Sequence, residues 1–146
     1  MHGERVVDAS VIAAALFLEA FSDEARRFLI ETQGLFAPDH LHAEIASVAA
    51  KKVWRGETSE EVGLRACQAV SELGVVTTPS SALTERAFAL ATRHRFSVYD
   101  GLYLALGEQR SIPVYTFDAA LVRKAVAAGM HELVDGPASL LGRGPG

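Results

Sequence analysis

Residues 113–134 read PVYTFDAALVRKAVAAGMHELV, and their pattern decides the class of fold. A short apolar run at Pro113–Phe117 ends at Asp118, and the pattern of Ala119–Ala128 is that of a helix. A second short run follows at Glu132–Val134. A helix between two short apolar runs predicts two strands that lie parallel in one sheet.

The rest of the chain repeats this alternation. Three more strands are predicted, at Arg5–Asp8, Leu35–Ala37 and Val75–Thr77. Six further helices are predicted: one that starts at about Ser10, one over Asp23–Thr32, one from Pro38-Asp39 to Arg55, one from the capping box Thr58-x-x-Glu61 to Gly74, one over Ser81–His94 and one over Ser97–Gln109. The pattern predicts an α/β fold, in which helices flank a short, mostly parallel sheet of about five strands.

The composition is that of one globular domain, which we expect to span residues 1–141 before a flexible tail at 142–146. The 146 residues are 49% hydrophobic and 22% charged. The longest apolar run, Val11–Leu18, is far shorter than the roughly 20 residues that span a bilayer, so no membrane segment is expected. The single cysteine, Cys67, favours a reducing cytoplasm. A net charge of −4 argues against a broad nucleic-acid-binding surface, unless the acids gather in a site that cations neutralise.

Two aspartates follow predicted strands. Asp8 ends the run RVVD, and Asp118 ends the run VYTFD. Ligands of open parallel sheets bind beyond the carboxyl ends of the strands, where both side chains are expected to lie. Both residues also precede helices, so helix capping is the alternative role for each.

Two further acids lie on predicted helices. Glu44 shares a helix face with Leu41 and Val48, and an ionised carboxylate on an apolar face is costly unless it is paired or metal-bound. The alternative is a boundary position whose head group reaches solvent. Asp100 begins a helix that is apolar on nearly every side, although it also forms a capping box with Ser97. Four carboxylates without a histidine–cysteine cluster suit magnesium or manganese better than zinc.

Several other catalytic patterns are missing. The sequence contains no His-Glu-x-x-His, no glycine-rich phosphate loop and no Gly-x-Ser-x-Gly elbow. A phosphatase of the haloacid dehalogenase type needs a second acid where this chain has Ser10. A response-regulator receiver needs paired acids after its first strand and a lysine after its last, and neither is evident.

Four stretches resemble the PIN domain family, and within it the VapC-type toxins of toxin–antitoxin pairs. They are VVDASV around Asp8, APDHLHAEIASV around Glu44, HRFSVYDGLYLALGEQ around Asp100 and VYTFDAAL around Asp118. The resemblance implies a three-layer sandwich and an endoribonuclease that uses Mg²⁺ or Mn²⁺, held by these four catalytic acids, to hydrolyse RNA phosphodiester bonds. It also implies that the hydroxyls of Ser10 and Thr116 support the site, with helix capping and strand-end hydrogen bonding as their alternative roles.

The resemblance further implies partners. A VapC-type toxin would bind RNA and a small antitoxin and would form a homodimer, with Phe28, Leu29 and the Glu44 helix as candidate interface. The basic residues expected to follow RNA phosphates are Lys51, Lys52, Arg55, Arg93, Arg95, Arg123 and Lys124. The alternatives are a housekeeping PIN nuclease in RNA processing and a PIN-like binding scaffold without activity.

The chain departs from the family pattern beside three of the acids. Gly101 stands where alanine is usual, and Ser47 stands where many members have asparagine. Ala119 and Ala120 occupy positions where basic residues are common. No acid is lost, so the departures bear on how RNA is held rather than on the chemistry.

Overall fold

The central sheet is parallel throughout. The computed structural model describes residues 3–142, and the predicted tail beyond Gly142 lies outside these residues. The strands lie in the order β3-β2-β1-β4-β5, and every neighbouring pair is parallel. Their bounds are β1 (Arg5–Val7), β2 (Leu35–Pro38), β3 (Val75–Thr78), β4 (Val114–Tyr115) and β5 (Val134–Asp135). The predicted five-stranded α/β fold is confirmed.

Helices join and flank these strands. They are α1 (Ala9–Leu16), α2 (Ser22–Glu31), α3 (Leu41–Trp54), α4 (Glu60–Ala69), α5 (Thr84–His94), α6 (Val98–Arg110) and α7 (Ala119–Ala127). Helix α1 packs against α2 and α3, α3 packs against α4, and α5 packs against α6. None of the helices within residues 3–142 combines the length and the apolar character that crossing a membrane requires.

Two predicted helix starts were wrong. Thr58 does not cap α4; Ser59 does, because its side chain accepts the N–H of Val62 at 3.1 Å. The helix then ends at Ala69, where a 3₁₀ turn replaces the predicted continuation to Gly74. Helix α3 begins at Leu41 rather than at Pro38-Asp39, because Pro38 still pairs with β3 as the last residue of β2.

Three other boundaries also differ. Residues Ser80–Ala82 form a 3₁₀ turn, so α5 begins at Thr84 rather than at Ser81. The last predicted strand was placed too early, because His131–Leu133 form another 3₁₀ turn before β5. Strand β4 is only two residues long, although the backbone N–H of Thr116 still donates to Asp135 O at 3.0 Å. Such turns are held by short-range backbone hydrogen bonds and show no periodic pattern of apolar residues. The sequence therefore contains little information about where they begin and end.

Helix α6 contains the longest continuous buried stretch among the helices of residues 3–142. Seven consecutive residues, 101–107, are buried, and the helix packs against β1, β2 and β4. The prediction of a helix that is apolar on nearly every side is therefore confirmed. Its first turn carries Asp100, so the packing of α6 fixes the position of that acid.

Gly101 allows α5 and α6 to approach closely. A Cβ at this position would lie 2.8 Å from the carbonyl oxygen of Ala87, which is too short for a non-bonded contact. We expect Gly101→Ala to destabilise the protein by up to about 2 kcal/mol, because an overpacking cost of about 1–3 kcal/mol is only partly offset by a helix-propensity gain of about 1 kcal/mol. Urea unfolding with an unchanged slope would measure this loss.

Gly63 on α4 provides a matched control. A Cβ there would meet its nearest atoms at 3.5 Å or more, which is ordinary contact. Gly63→Ala should therefore be neutral or stabilising, since only the propensity gain applies. Equal effects of the two substitutions would contradict a specific close approach at Gly101.

The strand order creates a crevice in the sheet. The chain runs outward from β1 to β3, returns to place β4 on the other side of β1, and ends at β5. The two directions of travel diverge between β1 and β4. Such a switch point leaves the carboxyl ends of the two strands open to a ligand.

Candidate active site

A cleft of about 310 Å³ opens at the carboxyl ends of β1 and β4. All four predicted acids line it, and the full lining is Asp8, Ala9, Ser10, Ala13, Glu44, Ser47, Val48, Lys51, Asp100 and Asp118. The acids come from four separate segments of the chain. The structure therefore brings the predicted acids together in one cleft.

Asp8 is the most deeply buried of the four acids, with 6% of its surface exposed. It occupies the N-cap position of α1, yet its side chain makes no capping hydrogen bond. Its Oδ2 instead accepts the hydroxyl of Ser10 at 2.7 Å and the hydroxyl of Thr116 at 2.8 Å. Helix capping therefore does not explain this buried carboxylate.

The hydroxyls of Ser10 and Thr116 join the ends of β1 and β4. While donating to Asp8, Ser10 Oγ accepts the backbone N–H of Phe117 at 3.0 Å, and Thr116 Oγ1 accepts that of Asp118 at 2.9 Å. Each hydroxyl proton is thus committed to Asp8, and each oxygen orients the segment that carries Asp118. Both hydroxyls lie where support of the site would require them.

Burial raises the pKa of Asp8 to about 6, from an ordinary value of 3.8. The two hydroxyl hydrogen bonds lower the pKa, whereas the nearby charges of Glu44 and Asp100 raise it further. The pKa of Asp100 is also raised, first by burial and then by the charges of Asp118 and Glu44. The cleft therefore holds negative charge under mutual repulsion.

Asp118 uses one oxygen to cap a helix. Its Oδ1 accepts the backbone N–H of Ala120 at 2.9 Å and that of Leu121 at 3.2 Å, at the start of α7. The predicted capping role is thus real for this residue. It fixes the direction of the carboxylate, while Oδ2 has no recorded hydrogen bond within residues 3–142.

Glu44 is half-buried on the first turn of α3, and its carboxylate is paired. Its Oε1 accepts the phenol of Tyr103 at 2.7 Å and lies 2.8 Å from His40 Nε2. These partners explain how an acid is tolerated beside the apolar residues Leu41 and Ile45, which are fully buried.

The donor set of the cleft fits a hard divalent cation. Every candidate ligand is a carboxylate oxygen, the type that Mg²⁺ and Mn²⁺ prefer. A cation would also relieve the repulsion that raises the pKa values of Asp8 and Asp100. Within residues 3–142, no three His, Cys, Asp or Glu side chains yet lie close enough to share an ion.

Only some of the predicted basic residues lie near the cleft. Lys51 lines it, and Lys124 is close enough to lower the pKa of Asp100. Lys52 instead contacts Glu19 and Glu57, at 3.2 and 3.7 Å. Arg93 lines a separate groove on α5, and Arg55, Arg95 and Arg123 are exposed and are not among the residues that line the cleft.

Tyr103 and His40 were not predicted as part of the site. Tyr103 is the one residue with a hydrogen-bonding side chain in the buried stretch 101–107, three positions after Asp100. A phenol inside an aliphatic helix requires a partner, and that requirement was the available signal. His40 was not predicted because residues two positions apart, such as His40 and His42, do not share a helix face and so form no metal-binding pair.

Comparison with known proteins shows the family of the chain. A model of the PIN domain family matches residues 5–127. Ribonuclease VapC3 of Pyrobaculum aerophilum is 32% identical over 121 residues, which cover 82% of this chain and 92% of the relative. Ribonuclease VapC9 of Mycobacterium tuberculosis is 34% identical over 116 residues, which cover 80% and 87%.

A solved structure shares the fold. The crystal structure of Mycobacterium tuberculosis VapC20, described as a toxin that cleaves the sarcin-ricin loop, superimposes with a TM-score of 0.67. The match covers 87% of this chain and 95% of that one, at 21% identity. From the family match, the two relatives and the shared fold, it follows that the chain belongs to the PIN domain family, in its VapC-type branch.

Proposed function

We propose that the protein is a metal-dependent endoribonuclease and the toxin of a VapBC-type toxin–antitoxin pair. The observation that carries the proposal is the convergence of Asp8, Glu44, Asp100 and Asp118 on one cleft at the switch point of the sheet. The ribonuclease names of the curated relatives support the choice of RNA as the substrate.

The four acids supply the ligands in this mechanism. Asp8, Asp100 and Asp118 would hold one or two Mg²⁺ or Mn²⁺ ions, and Glu44 would bind directly or through water. Such ions supply Lewis acidity, which acidifies water and offsets charge on the scissile phosphate. The hydroxyls of Ser10 and Thr116 keep the Asp8 carboxylate fixed while the substrate binds. Water attacks the phosphorus and leaves 5′-phosphate and 3′-hydroxyl ends.

The basic residues beside the cleft bind the RNA backbone. Lys51 on α3 and Lys124 on α7 are both exposed, so their ammonium groups can reach phosphates without burying charge. A recessed acidic cleft suits single-stranded loops, whose backbone can bend into it, better than a regular duplex. The other predicted basic residues do not line the cleft.

The toxin assignment brings partners with it. A small antitoxin protein would restrain the nuclease, and the toxin would act as a homodimer. RNA as substrate and an unpaired Cys67 are consistent with the cytoplasm. An antitoxin reading frame beside the coding sequence would support this role over housekeeping RNA processing.

Cleavage of a mixed RNA pool by the purified chain tests the activity. We expect cleavage in Mn²⁺ or Mg²⁺, loss of cleavage in EDTA and 5′-phosphate ends on the products. Asp100→Asn should lose cleavage because it removes an anionic ligand, whereas Asp39→Asn should retain it, since Asp39 bonds only Ser80 outside the cleft. Cleavage that survives EDTA, or full activity of Asp100→Asn, would overturn the metal mechanism.

A further inference from the structure

Two side chains meet at the same oxygen of Glu44, and the proposed reaction gives neither of them a role. The hydroxyl of Tyr103 donates to Glu44 Oε1 over 2.7 Å. His40 Nε2 lies 2.8 Å from the same oxygen. Glu44 Oε2 has no recorded hydrogen-bond partner within residues 3–142. The two oxygens of this carboxylate are therefore in different surroundings.

Tyr103 is a fixed and permanent donor. Its side chain is 0% exposed in the middle of α6, so neither the ring nor the hydroxyl is free to turn toward water. A phenol has an ordinary pKa of about 10, so its hydroxyl keeps its proton at neutral pH and can donate it in a hydrogen bond. The phenol therefore fixes the position of Glu44, on α3, relative to α6.

His40 closes the other side of the same oxygen. Its side chain is 12% exposed, and its ring packs against that of Tyr103 with centroids 4.9 Å apart. Neither ring nitrogen has an in-line hydrogen-bond partner among the described residues, so the 2.8 Å approach to Oε1 is a contact out of line. The imidazole packs against Tyr103 and Glu44 and restricts the movement of both side chains.

We propose that Tyr103 and His40 are positioning residues that hold Glu44 Oε1, so that Glu44 presents Oε2 alone to a cation in the cleft. The inference rests on the proposed function, because it assigns a direction to one of the proposed metal ligands. A carboxylate fixed in this way binds an ion through one oxygen and leaves more of its coordination shell to water and substrate.

Tyr103→Phe tests the inference because it removes one oxygen atom and keeps the ring. We expect the dissociation constant for Mn²⁺, measured by calorimetry, to rise by about 10–100-fold, the usual cost of losing a group that orients a ligand. The Mn²⁺ concentration for half-maximal cleavage should rise in parallel, while kcat at saturating Mn²⁺ changes less. The thermal unfolding midpoint in EDTA reports whether the variant has folded.

A double-mutant cycle separates positioning from general packing. In a Glu44→Ala background, Tyr103→Phe should leave Mn²⁺ affinity unchanged, since the oxygen that it orients is gone. His40→Ala should weaken Mn²⁺ binding because it removes the ring that packs against Tyr103, and His40→Phe, which restores a ring, should recover part of the loss. His42→Ala is the matched control, because His42 is exposed on the first turn of α3.

The outcomes distinguish this inference from the proposed function. If the wild-type chain binds no Mn²⁺, both fall together. If it binds Mn²⁺ and Tyr103→Phe binds equally well, the positioning role falls and the metal site stands. An equal loss with and without Glu44 would also overturn the positioning role, because the hydroxyl would then act through the fold.

Discussion

Replacing Asp8 with asparagine is expected to lower the rate of RNA cleavage by at least about 100-fold, since a metal ion supplies several kcal/mol of charge stabilisation at the transition state. Asparagine has the same shape, and its carbonyl oxygen can still accept the hydroxyls of Ser10 and Thr116. Only the negative charge and one anionic ligand are lost. The measurement is kcat/KM for a defined RNA substrate at saturating Mn²⁺.

Asp39→Asn controls for this experiment, because it removes a charge of the same type outside the cleft. Its kcat/KM should equal that of the wild type. A loss smaller than about tenfold in Asp8→Asn, which is about 1.4 kcal/mol, would show that Asp8 is not a principal metal ligand.

The same substitution should stabilise the metal-free protein. A rise in the pKa of Asp8 from 3.8 to about 6 corresponds to about 3 kcal/mol at 1.36 kcal/mol per unit. Because the folded-state pKa is the higher one, folding is favoured most below pH 3.8, and this advantage is lost as the pH rises through 6. Asparagine does not titrate, so Asp8→Asn should exceed the wild type in stability by up to about 3 kcal/mol at pH 8.

Urea unfolding in EDTA at pH 8 and at pH 4.5 measures this effect. The stability difference between variant and wild type should be large at pH 8 and should shrink toward pH 4.5. Saturating Mn²⁺ should reverse the ranking at pH 8, since an ion at about 1,000 times its dissociation constant stabilises the wild type by about 4.1 kcal/mol. A stability difference that is independent of pH would contradict the expectation that ionisation of the buried Asp8 destabilises the fold.

The acids could be predicted because topology places them. Asp8 and Asp118 directly follow apolar strands, and the carboxyl ends of parallel strands necessarily share one edge of the sheet. Asp100 was found because its helix is buried on nearly every side, which fixes where its first turn must lie. The predicted acids therefore rest on packing rules that do not depend on fine geometry.

The basic residues could not be sorted in the same way. Lys51 and Lys52 are neighbours in sequence, but adjacent helix positions point about 100° apart. Lys51 consequently faces the cleft, while Lys52 pairs with Glu19. Exposed charges carry no apolar periodicity, so nothing in the sequence distinguishes one direction from the other.

The strand order could not be predicted from the sequence either. Strands of two to four residues do not contain enough side-chain pattern to select their neighbours. The position of β4 beside β1 is set by the packing of α6 against both. The buried pairing of Glu44 with Tyr103 depends on that same packing, which explains why the phenol was overlooked.

The adjacency of β1 and β4 also governs when the cleft can exist. The bond from Thr116 to Asp8 joins residues 108 positions apart, so it closes one of the longest loops in the chain. Contacts of such separation form late, because the entropy of closing the loop must be met before they contribute. In a nascent chain from which β4 has not yet emerged, Asp8 lacks both the hydroxyl of Thr116 and the neighbouring strand that orient its carboxylate. The cleft is therefore incomplete until synthesis of the domain is nearly finished.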